Sequence, residues 1–170
     1  MTQVYFSTMP TPIGELGILA DNQAIYRVEF IDRHKDAVKE NLNSYQENEL
    51  TKEAKTQLEQ YFNSKIKSFN LPLAPQGTPF RQQTWQALQK IPYGETRYYS
   101  QQAELMNNKK AVRAVGAANG ANPIAIIIPC HRVIGKDGSL TGYAGGLDRK
   151  AWLLNFEQKE LQTQQVFTLD

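Results

Sequence analysis

A cluster of chain-breaking residues near position 75 sets the first constraint on the fold of this 170-residue chain. The cluster consists of Pro72, Pro75, Gly77 and Pro79. Proline fixes φ and removes a backbone donor, so neither a helix nor a central strand continues easily through such a stretch. We therefore predict two domains, residues 1–76 and residues 77–170.

Charge is distributed unequally along the chain. Residues 81–150 carry 10 basic and 4 acidic side chains, a net charge of +6, whereas residues 1–80 and residues 151–170 each have a net charge of −2. Positive charge gathered on one segment is what a phosphate backbone selects for. A net charge of +6 also fits an ordinary solvated surface, so charge alone leaves both interpretations open.

Short β-prone runs separated by turn residues make up the start of the first domain. They lie at residues 4–6, 16–20 and 24–30. Apolar residues at helical spacing follow over residues 49–62, and the polar stretch 32–48 predicts a loop or a weak helix. We predict a small sheet covered by an amphipathic helix, with a structural role.

The second domain is predicted to be mostly helical. Thr78 and Pro79 are typical of an N-cap and a first helical residue. Two short helices, predicted over residues 100–106 and 109–118, outline a helix-turn-helix. Residues 135–138 contain two glycines around Lys-Asp, a pattern that predicts a hairpin or a wing turn.

The second of these short helices has an unusual face of small residues. They are Ala111, Ala114, Gly116, Ala117 and Ala118. Such a face allows another surface to approach the helix backbone closely. That surface is either a neighbouring helix or nucleic acid, and the nearby Lys109, Lys110 and Arg113 favour nucleic acid.

Cys130 is the only cysteine, and His131 follows it directly. Residues 124–128, just before them, form the most apolar run of the chain. Free cysteine is among the most buried residue types, so Cys130 can simply end a buried strand. A thiol beside an imidazole can equally be a nucleophile. A lone cysteine excludes an intramolecular disulfide and a cysteine-based zinc site.

If Cys130 is a nucleophile, His131 can accept its proton. An imidazole base needs an acceptor on its other nitrogen, which sets the tautomer. The last predicted helix, residues 148–160, carries the carboxylates Glu157 and Glu160. Glu157 could reach inward, because it lies one residue after Phe156 and three after Leu154, and a Cys-His-Glu relay would result.

The chain lacks a recognisable signal peptide, and no apolar run approaches the roughly 20 residues that span a bilayer. A lone thiol stays reduced in a reducing compartment. We therefore expect a cytoplasmic protein, with no metal and no cofactor.

Residues 78–157 resemble the O6-alkylguanine-DNA alkyltransferases, also called methylated-DNA–protein-cysteine methyltransferases, and in particular the bacterial constitutive single-protein type. The matching segments are Arg113-Ala114-Val115-Gly116, Asn122-Pro123, Pro129-Cys130-His131-Arg132-Val133, Tyr143-Ala144-Gly145-Gly146 and Trp152-Leu153-Leu154. The resemblance implies an α+β fold, with a ribonuclease-H-like N-terminal sheet and helix followed by a winged helix-turn-helix domain.

The resemblance also implies a reaction. Cys130 would accept the alkyl group from O6 of guanine in a single irreversible transfer, with His131 as its base through a water molecule and Glu157 orienting His131. Asn122 would hold the turn around the cysteine. Tyr99 would rotate the 3′ phosphate and protonate the leaving base.

The implied partner is double-stranded DNA containing O6-alkylguanine or O4-alkylthymine, bound by a monomer, with cooperative binding along DNA left open. Arg113 would enter the base stack and replace the flipped nucleotide. The other implied DNA contacts are Ala114, Ala117, Lys109, Lys110 and Arg132. The implied substrate pocket consists of Val133, Tyr143, Ala144 and Gly145.

One position departs from the family pattern. Many relatives carry serine where this chain has Ala144, and a serine hydroxyl can contact O6. Alanine leaves the backbone N–H as the donor there and makes the pocket roomier. This favours tolerance of alkyl groups larger than methyl and of O4-alkylthymine.

Two other classes of function remain open from the sequence. A cysteine hydrolase could use Cys130 with His34 or His131, although no oxyanion hole is marked. A DNA-binding module, either an alkyltransferase-like damage sensor or a small regulator, would not need Cys130. The sensors replace that cysteine, usually with tryptophan.

Overall fold

A computed structural model of the chain describes residues 3–33 and 46–168, with side chains as far as residue 161. His34 and most of the stretch predicted as a loop or weak helix lie outside these ranges. The chain forms two compact units. One comprises Met1–Gln76 and Pro123–Ile127, and the other comprises Gly77–Asn122 and Ile128–Asp170.

The first unit contains a three-stranded antiparallel sheet. Its strands are β1 (Tyr5–Thr11), β2 (Gly14–Ala20) and β3 (Ile25–Phe30), in the order β1-β2-β3. Ser7 and Met9 of β1 are buried at alternate positions, as expected for a half-covered sheet. Gly14 ends the tight turn between β1 and β2. Its φ is 130°, a backbone conformation that residues other than glycine rarely adopt.

Helix α1 (Glu49–Phe62) packs against β1 and β2. Asn48 begins it with a capping box, in which its side chain accepts from the N–H of Thr51 at 2.9 Å. The buried face consists of Thr51, Ala54, Leu58 and Tyr61, at the three- and four-residue spacing of a helix. The predicted helix is confirmed, although Leu50 is only half-buried.

The apolar run before Cys130 is buried but is not a strand. The Val28 N–H donates to the Pro123 carbonyl at 3.0 Å, and the Ala125 N–H donates to the Val28 carbonyl at 2.8 Å. The run then turns at Ile126, whose φ of 71° is rare for a β-branched residue and costs about 1–3 kcal/mol. The strand interpretation was therefore wrong, and the backbone pairing to β3 explains why residues 123–127 belong to the first unit.

The second unit begins with helix α2 (Pro79–Leu88). The Thr78 side chain accepts from the Arg81 N–H at 3.2 Å and Pro79 is the first helical residue, which confirms the predicted start. Trp85 is buried, and its indole N–H donates to the Ala118 carbonyl at 2.9 Å. A polar partner for the indole lets this large side chain lie in the core.

Helices α3 (Tyr99–Leu105) and α4 (Val112–Gly120) form the predicted helix-turn-helix. Gln102 and Asn119 join them through two reciprocal amide hydrogen bonds of 2.9 and 2.7 Å. Helix α4 begins three residues later than predicted, so Lys109 and Lys110 lie in the turn before it rather than on it.

The wing region and the last helix differ in detail from the sequence prediction. Strands β4 (Arg97–Tyr98) and β5 (Val133–Ile134) pair in parallel. The predicted turn at residues 135–138 follows β5, and in it the Gly138 N–H donates to the Gly135 carbonyl at 2.9 Å. Helix α5 (Leu147–Thr168) continues beyond residue 160. The α+β architecture itself is confirmed. Among the residues that the structure describes, no helix has the length and apolar character needed to cross a membrane.

Candidate active site

Cys130 is the first residue of a 3₁₀ turn, Cys130–Arg132, and its side chain is almost fully buried, at 5% exposure. Burial raises the pKa of the thiol, while a hydrogen bond from Asn122 and the positive charge of Lys150 act in the opposite direction. The net effect is a raised pKa, so Cys130 is a neutral thiol at neutral pH. A nucleophilic Cys130 therefore needs a base.

Asn122 holds the turn that presents Cys130. Its side-chain amide donates to the Ile128 carbonyl at 2.8 Å and also hydrogen-bonds Cys130. The Cys130 N–H donates to the same Ile128 carbonyl at 2.9 Å. The two ends of the segment between Asn122 and Ile128 are thus joined next to the sulfur.

His131 is fully buried and lies against Glu157, with Nε2 at 2.7 Å from Oε2. Burial lowers the pKa of His131 below 6.5, and the adjacent Glu157 only partly opposes this effect. A neutral ring beside a carboxylate carries its proton on Nε2. Nδ1, which has no partner among the described residues, is then an acceptor that can take a proton.

Glu157 accepts hydrogen bonds from three directions. Besides the contact with His131, Oε1 of Glu157 accepts from Nε of Arg132 at 2.8 Å and from the Gly94 N–H at 3.1 Å. Burial would raise the pKa of this carboxyl, but His131 and Arg132 outweigh it and hold the pKa far below its usual range. Glycine is favoured at position 94 because φ there is 79°, a backbone conformation that other residues rarely adopt.

Arg132 does not face solvent, which corrects its prediction as a DNA contact. Its side chain is buried, and the guanidinium spans both oxygens of Glu157, at 2.8 and 3.1 Å, and the Ile91 carbonyl at 2.7 Å. The reason is energetic: a buried carboxylate beside a neutral histidine needs a cation, and Arg132 supplies it.

Lys150 is part of the site, although the sequence analysis did not select it. Its ammonium group donates to the Thr141 carbonyl at 2.8 Å and lies 3.5 Å from the Tyr99 hydroxyl, and its charge acts on Cys130. Lys150, Leu153 and Glu157 occupy one face of α5 at spacings of three and four residues. Because Glu157 was already a candidate, this spacing could have identified Lys150 from the sequence.

Tyr99 is half-buried at the start of α3. Its hydroxyl donates to the Thr141 carbonyl at 3.0 Å, and the Lys150 ammonium lies 5.7 Å from the centre of its ring. Lys150 therefore contacts Tyr99, and its positive charge also lowers the pKa of Cys130.

The four residues predicted to line a substrate pocket have different exposures. Val133 and Gly145 are buried, whereas Ala144 is exposed. Tyr143 is 9% exposed, and its hydroxyl is buried without a hydrogen-bond partner among the described residues. Burial raises the pKa of Tyr143 well above its usual value, so it stays a neutral phenol that can donate to a bound molecule.

The residues predicted to contact DNA on α4 share an exposed surface. Arg113, Ala114 and Ala117 are all exposed. Ala118, also part of the small face, is instead buried at 3% exposure, where its carbonyl accepts from Trp85. The small face is thus divided, with part turned to solvent beside Arg113 and part turned to the helical core.

Fold and site together define a class of protein. A helix-turn-helix unit carries the only thiol of the chain, and the next residue is a buried histidine that contacts an ionised carboxylate. Within the described ranges, no group of three His, Cys, Asp or Glu side chains could hold a metal ion. The class is a DNA-associated protein with a cysteine nucleophile.

Comparison with known proteins identifies the family. Residues 79–159 match the family described as 6-O-methylguanine DNA methyltransferase, DNA binding domain, and residues 4–75 match its ribonuclease-like domain. The chain belongs to the methylated-DNA–protein-cysteine methyltransferases, which confirms the resemblance. It acts on DNA by transferring a methyl group from the DNA to a protein cysteine, a direct form of DNA repair.

Several relatives are similar over nearly their whole length. The methylated-DNA–protein-cysteine methyltransferase of Haemophilus influenzae is 47% identical, covering 93% of this chain and 88% of its own. The constitutive one of Bacillus subtilis is 46% identical, with coverages of 91% and 95%. The Mycobacterium tuberculosis OGT structure in complex with DNA is 39% identical, with a TM-score of 0.82 and coverages of 92% and 94%.

Proposed function

We propose that this chain repairs O6-alkylguanine in double-stranded DNA by extruding the damaged base and moving its alkyl group irreversibly to Cys130. The observation that carries the proposal is the position of the only thiol, buried beside a histidine whose other nitrogen contacts an ionised Glu157. Members of this family transfer the alkyl group to one of their own cysteines. Because Cys130 is the only cysteine of this chain, it is the one candidate acceptor.

The relay supplies the nucleophile. The Cys130 proton passes through a water molecule to Nδ1 of His131, and Glu157 stabilises the imidazolium that forms. The sulfur then attacks the alkyl carbon, an S–C bond forms, and the C–O6 bond breaks with its electron pair on the guanine. A proton from Tyr99, held near Lys150, neutralises the leaving base.

Burial of the thiol explains why the base must leave the helix. A side chain with 5% exposure cannot reach an alkyl carbon inside a stacked duplex. Extrusion of a base costs a few kcal/mol. Arg113 is exposed on α4 and offsets part of this cost by filling the space, while the small exposed Ala114 and Ala117 let the helix approach the DNA. Lys109 and Lys110, exposed just before α4, contact phosphates.

The product is a thioether, and the chain has no second thiol that could remove the alkyl group. We therefore propose one transfer per chain, without a cofactor. The same proposal has the chain act as a monomer in the reducing cytoplasm, where Cys130 stays a free thiol.

The lesion range follows from the pocket. Ala144 offers a methyl group and a backbone N–H where many relatives offer a hydroxyl, so fewer contacts depend on the guanine O6 alone. Tyr143 and Val133 supply the apolar wall. We propose that O4-alkylthymine and alkyl groups larger than methyl are also accepted.

The proposal is tested by intact-mass measurement after incubation with a duplex that contains one O6-methylguanine. We expect a gain of about 14 Da, one methyl group replacing the thiol hydrogen, located on Cys130. The gain should stop at one equivalent with excess duplex, and a matched undamaged duplex should give none. Continued turnover without a mass change would indicate a hydrolase. An O4-methylthymine duplex tests the second substrate.

Arg113→Ala should separate base extrusion from chemistry. We expect duplex repair to slow by about tenfold to a hundredfold, because an extrusion cost of a few kcal/mol is no longer offset. The reaction with free O6-benzylguanine, which needs no extrusion, should be unchanged. Single-turnover rates measure both.

Arg81→Ala is the matched control for Arg113→Ala, since it removes another exposed arginine of the same unit, on α2. Its duplex rate should remain near that of the unmodified protein. Equal losses of duplex and free-base reaction in Arg113→Ala would contradict an extrusion role.

A further inference from the structure

We propose that Arg132 is a positioning residue for alkyl transfer, because its guanidinium clamps Glu157 in the one orientation that directs Nδ1 of His131 toward the Cys130 proton. This inference rests on the proposed function and adds a residue to it. Arg132 is proposed to act without touching the sulfur, through its contacts with Glu157 and through its charge beside His131.

The clamp has an unusually complete geometry. Nε of Arg132 donates to Oε1 of Glu157 at 2.8 Å, and a terminal nitrogen donates to Oε2 at 3.1 Å. The other terminal nitrogen donates to the Ile91 carbonyl at 2.7 Å. A planar fork that holds two carboxylate oxygens and a backbone carbonyl fixes the carboxylate plane, which a lysine ammonium cannot do.

The clamp also determines which histidine nitrogen is free. Oε2 of Glu157 faces Nε2 of His131 at 2.7 Å, and the ring is fully buried, so it cannot turn toward water. With the carboxylate immobile and ionised, the ring proton stays on Nε2. Nδ1 is left unprotonated, buried and without a partner among the described residues, ready for a proton from Cys130.

The charge of Arg132 has a second effect on the same histidine. A bare carboxylate would favour the imidazolium, whereas the guanidinium partly neutralises it and works with burial to keep the pKa of His131 low. The other titratable groups around the pair are Cys130, Lys150, Tyr93, Tyr143 and, near Tyr93, Glu160. Burial raises the pKa of Tyr93 to about 12, so it stays neutral at 5.7 Å from the guanidinium.

Two substitutions of Arg132 test the two effects separately. Their transfer rates are measured from pH 5 to 9 with free O6-benzylguanine, so that DNA binding does not contribute. Arg132→Lys keeps the positive charge but loses the planar guanidinium that holds both Glu157 oxygens. We therefore expect a rate about tenfold lower, with the acid limb of the pH–rate profile unchanged. Arg132→Gln loses both, so we expect a rate about a hundredfold lower, with the acid limb moved to higher pH as the pKa of His131 rises.

Val115→Ala is the matched control, because it loosens a fully buried position of the same unit on α4. It should lower the melting temperature without changing the rate or the pH profile. Wild-type rates and profiles in both Arg132 variants, with the unmodified protein still alkylated on Cys130, would overturn the positioning role and leave the proposed function intact. Absence of alkylation in the unmodified protein would instead overturn the proposed function.

A measurement on the unmodified protein can overturn the proposal even if a variant does not fold. The chain has only two histidines, so nitrogen-15 NMR of the imidazole rings is simple to assign with His34→Gln. We expect His131 to be neutral at pH 7, with its proton on Nε2. A proton on Nδ1, or a charged ring, would overturn the proposal.

Discussion

Serine at position 130 is expected to abolish methyl transfer while leaving DNA binding within about twofold of the unmodified protein. A serine hydroxyl is a far weaker nucleophile than a thiol at the same position, and loss of the nucleophile from a relay of this kind costs at least about 10⁴-fold in rate. DNA affinity should persist, because the exposed residues Arg113, Lys109 and Lys110 are unchanged.

Cys130→Ser is also expected to fold. Serine is close to cysteine in size, and its hydroxyl retains a hydrogen-bond partner in the Asn122 amide, which already contacts Cys130. Intact mass after incubation with an O6-methylguanine duplex measures the transfer, and fluorescence anisotropy with the same duplex measures the affinity. A methyl adduct on the serine variant would place the acceptor elsewhere. A lost affinity would show that Cys130 has a structural part in binding.

Glu157→Gln is expected to slow transfer by about a hundredfold or more and to lower the free energy of unfolding by about 3–5 kcal/mol. Removing one partner of a buried ion pair leaves Arg132 as an uncompensated buried charge, which accounts for the stability loss. The rate falls because glutamine accepts through only one atom and does not stabilise the imidazolium of His131.

The difference in free energy of unfolding between the unmodified protein and Glu157→Gln should become smaller as the pH is lowered. The pKa of Glu157 in the folded protein lies far below the ordinary 4.5, so ionisation stabilises the fold at every pH above about 4.5. This contribution falls as the pH decreases below 4.5 toward the folded value. We therefore expect the gap between the unmodified protein and Glu157→Gln to be constant at neutral pH and to narrow in acid.

Chemical denaturation at several pH values measures this gap. Glu160→Gln is the matched control, because Glu160 lies on the same helix and is not fully buried. It should change the stability by less than about 0.5 kcal/mol at any pH. A Glu157→Gln protein as stable and as fast as the unmodified one would contradict both the ion pair and the relay.

Local pattern was sufficient for much of the fold. Helix α1 lies at residues 49–62 as predicted, since its apolar spacing, its flanking turn residues and its length agree with one another. Thr78 and Pro79 begin α2 for reasons contained in two adjacent residues. The start of α4 was misplaced, because Lys109 and Lys110 are good helix formers and nothing local shows that they lie in a turn.

The division between the two sources of information is sharpest at the site. The sequence by itself determined the identity of the single thiol, its histidine neighbour and the downstream carboxylate, because chemistry restricts which side chains can form a nucleophilic relay. It could not show that Arg132 turns inward to Glu157, that Lys150 faces Cys130, or that residues 124–128 turn at Ile126 instead of forming a strand. Those outcomes depend on which buried charges find partners and which backbone groups find hydrogen bonds, and both are decided between residues far apart in the chain, once the tertiary structure brings them together.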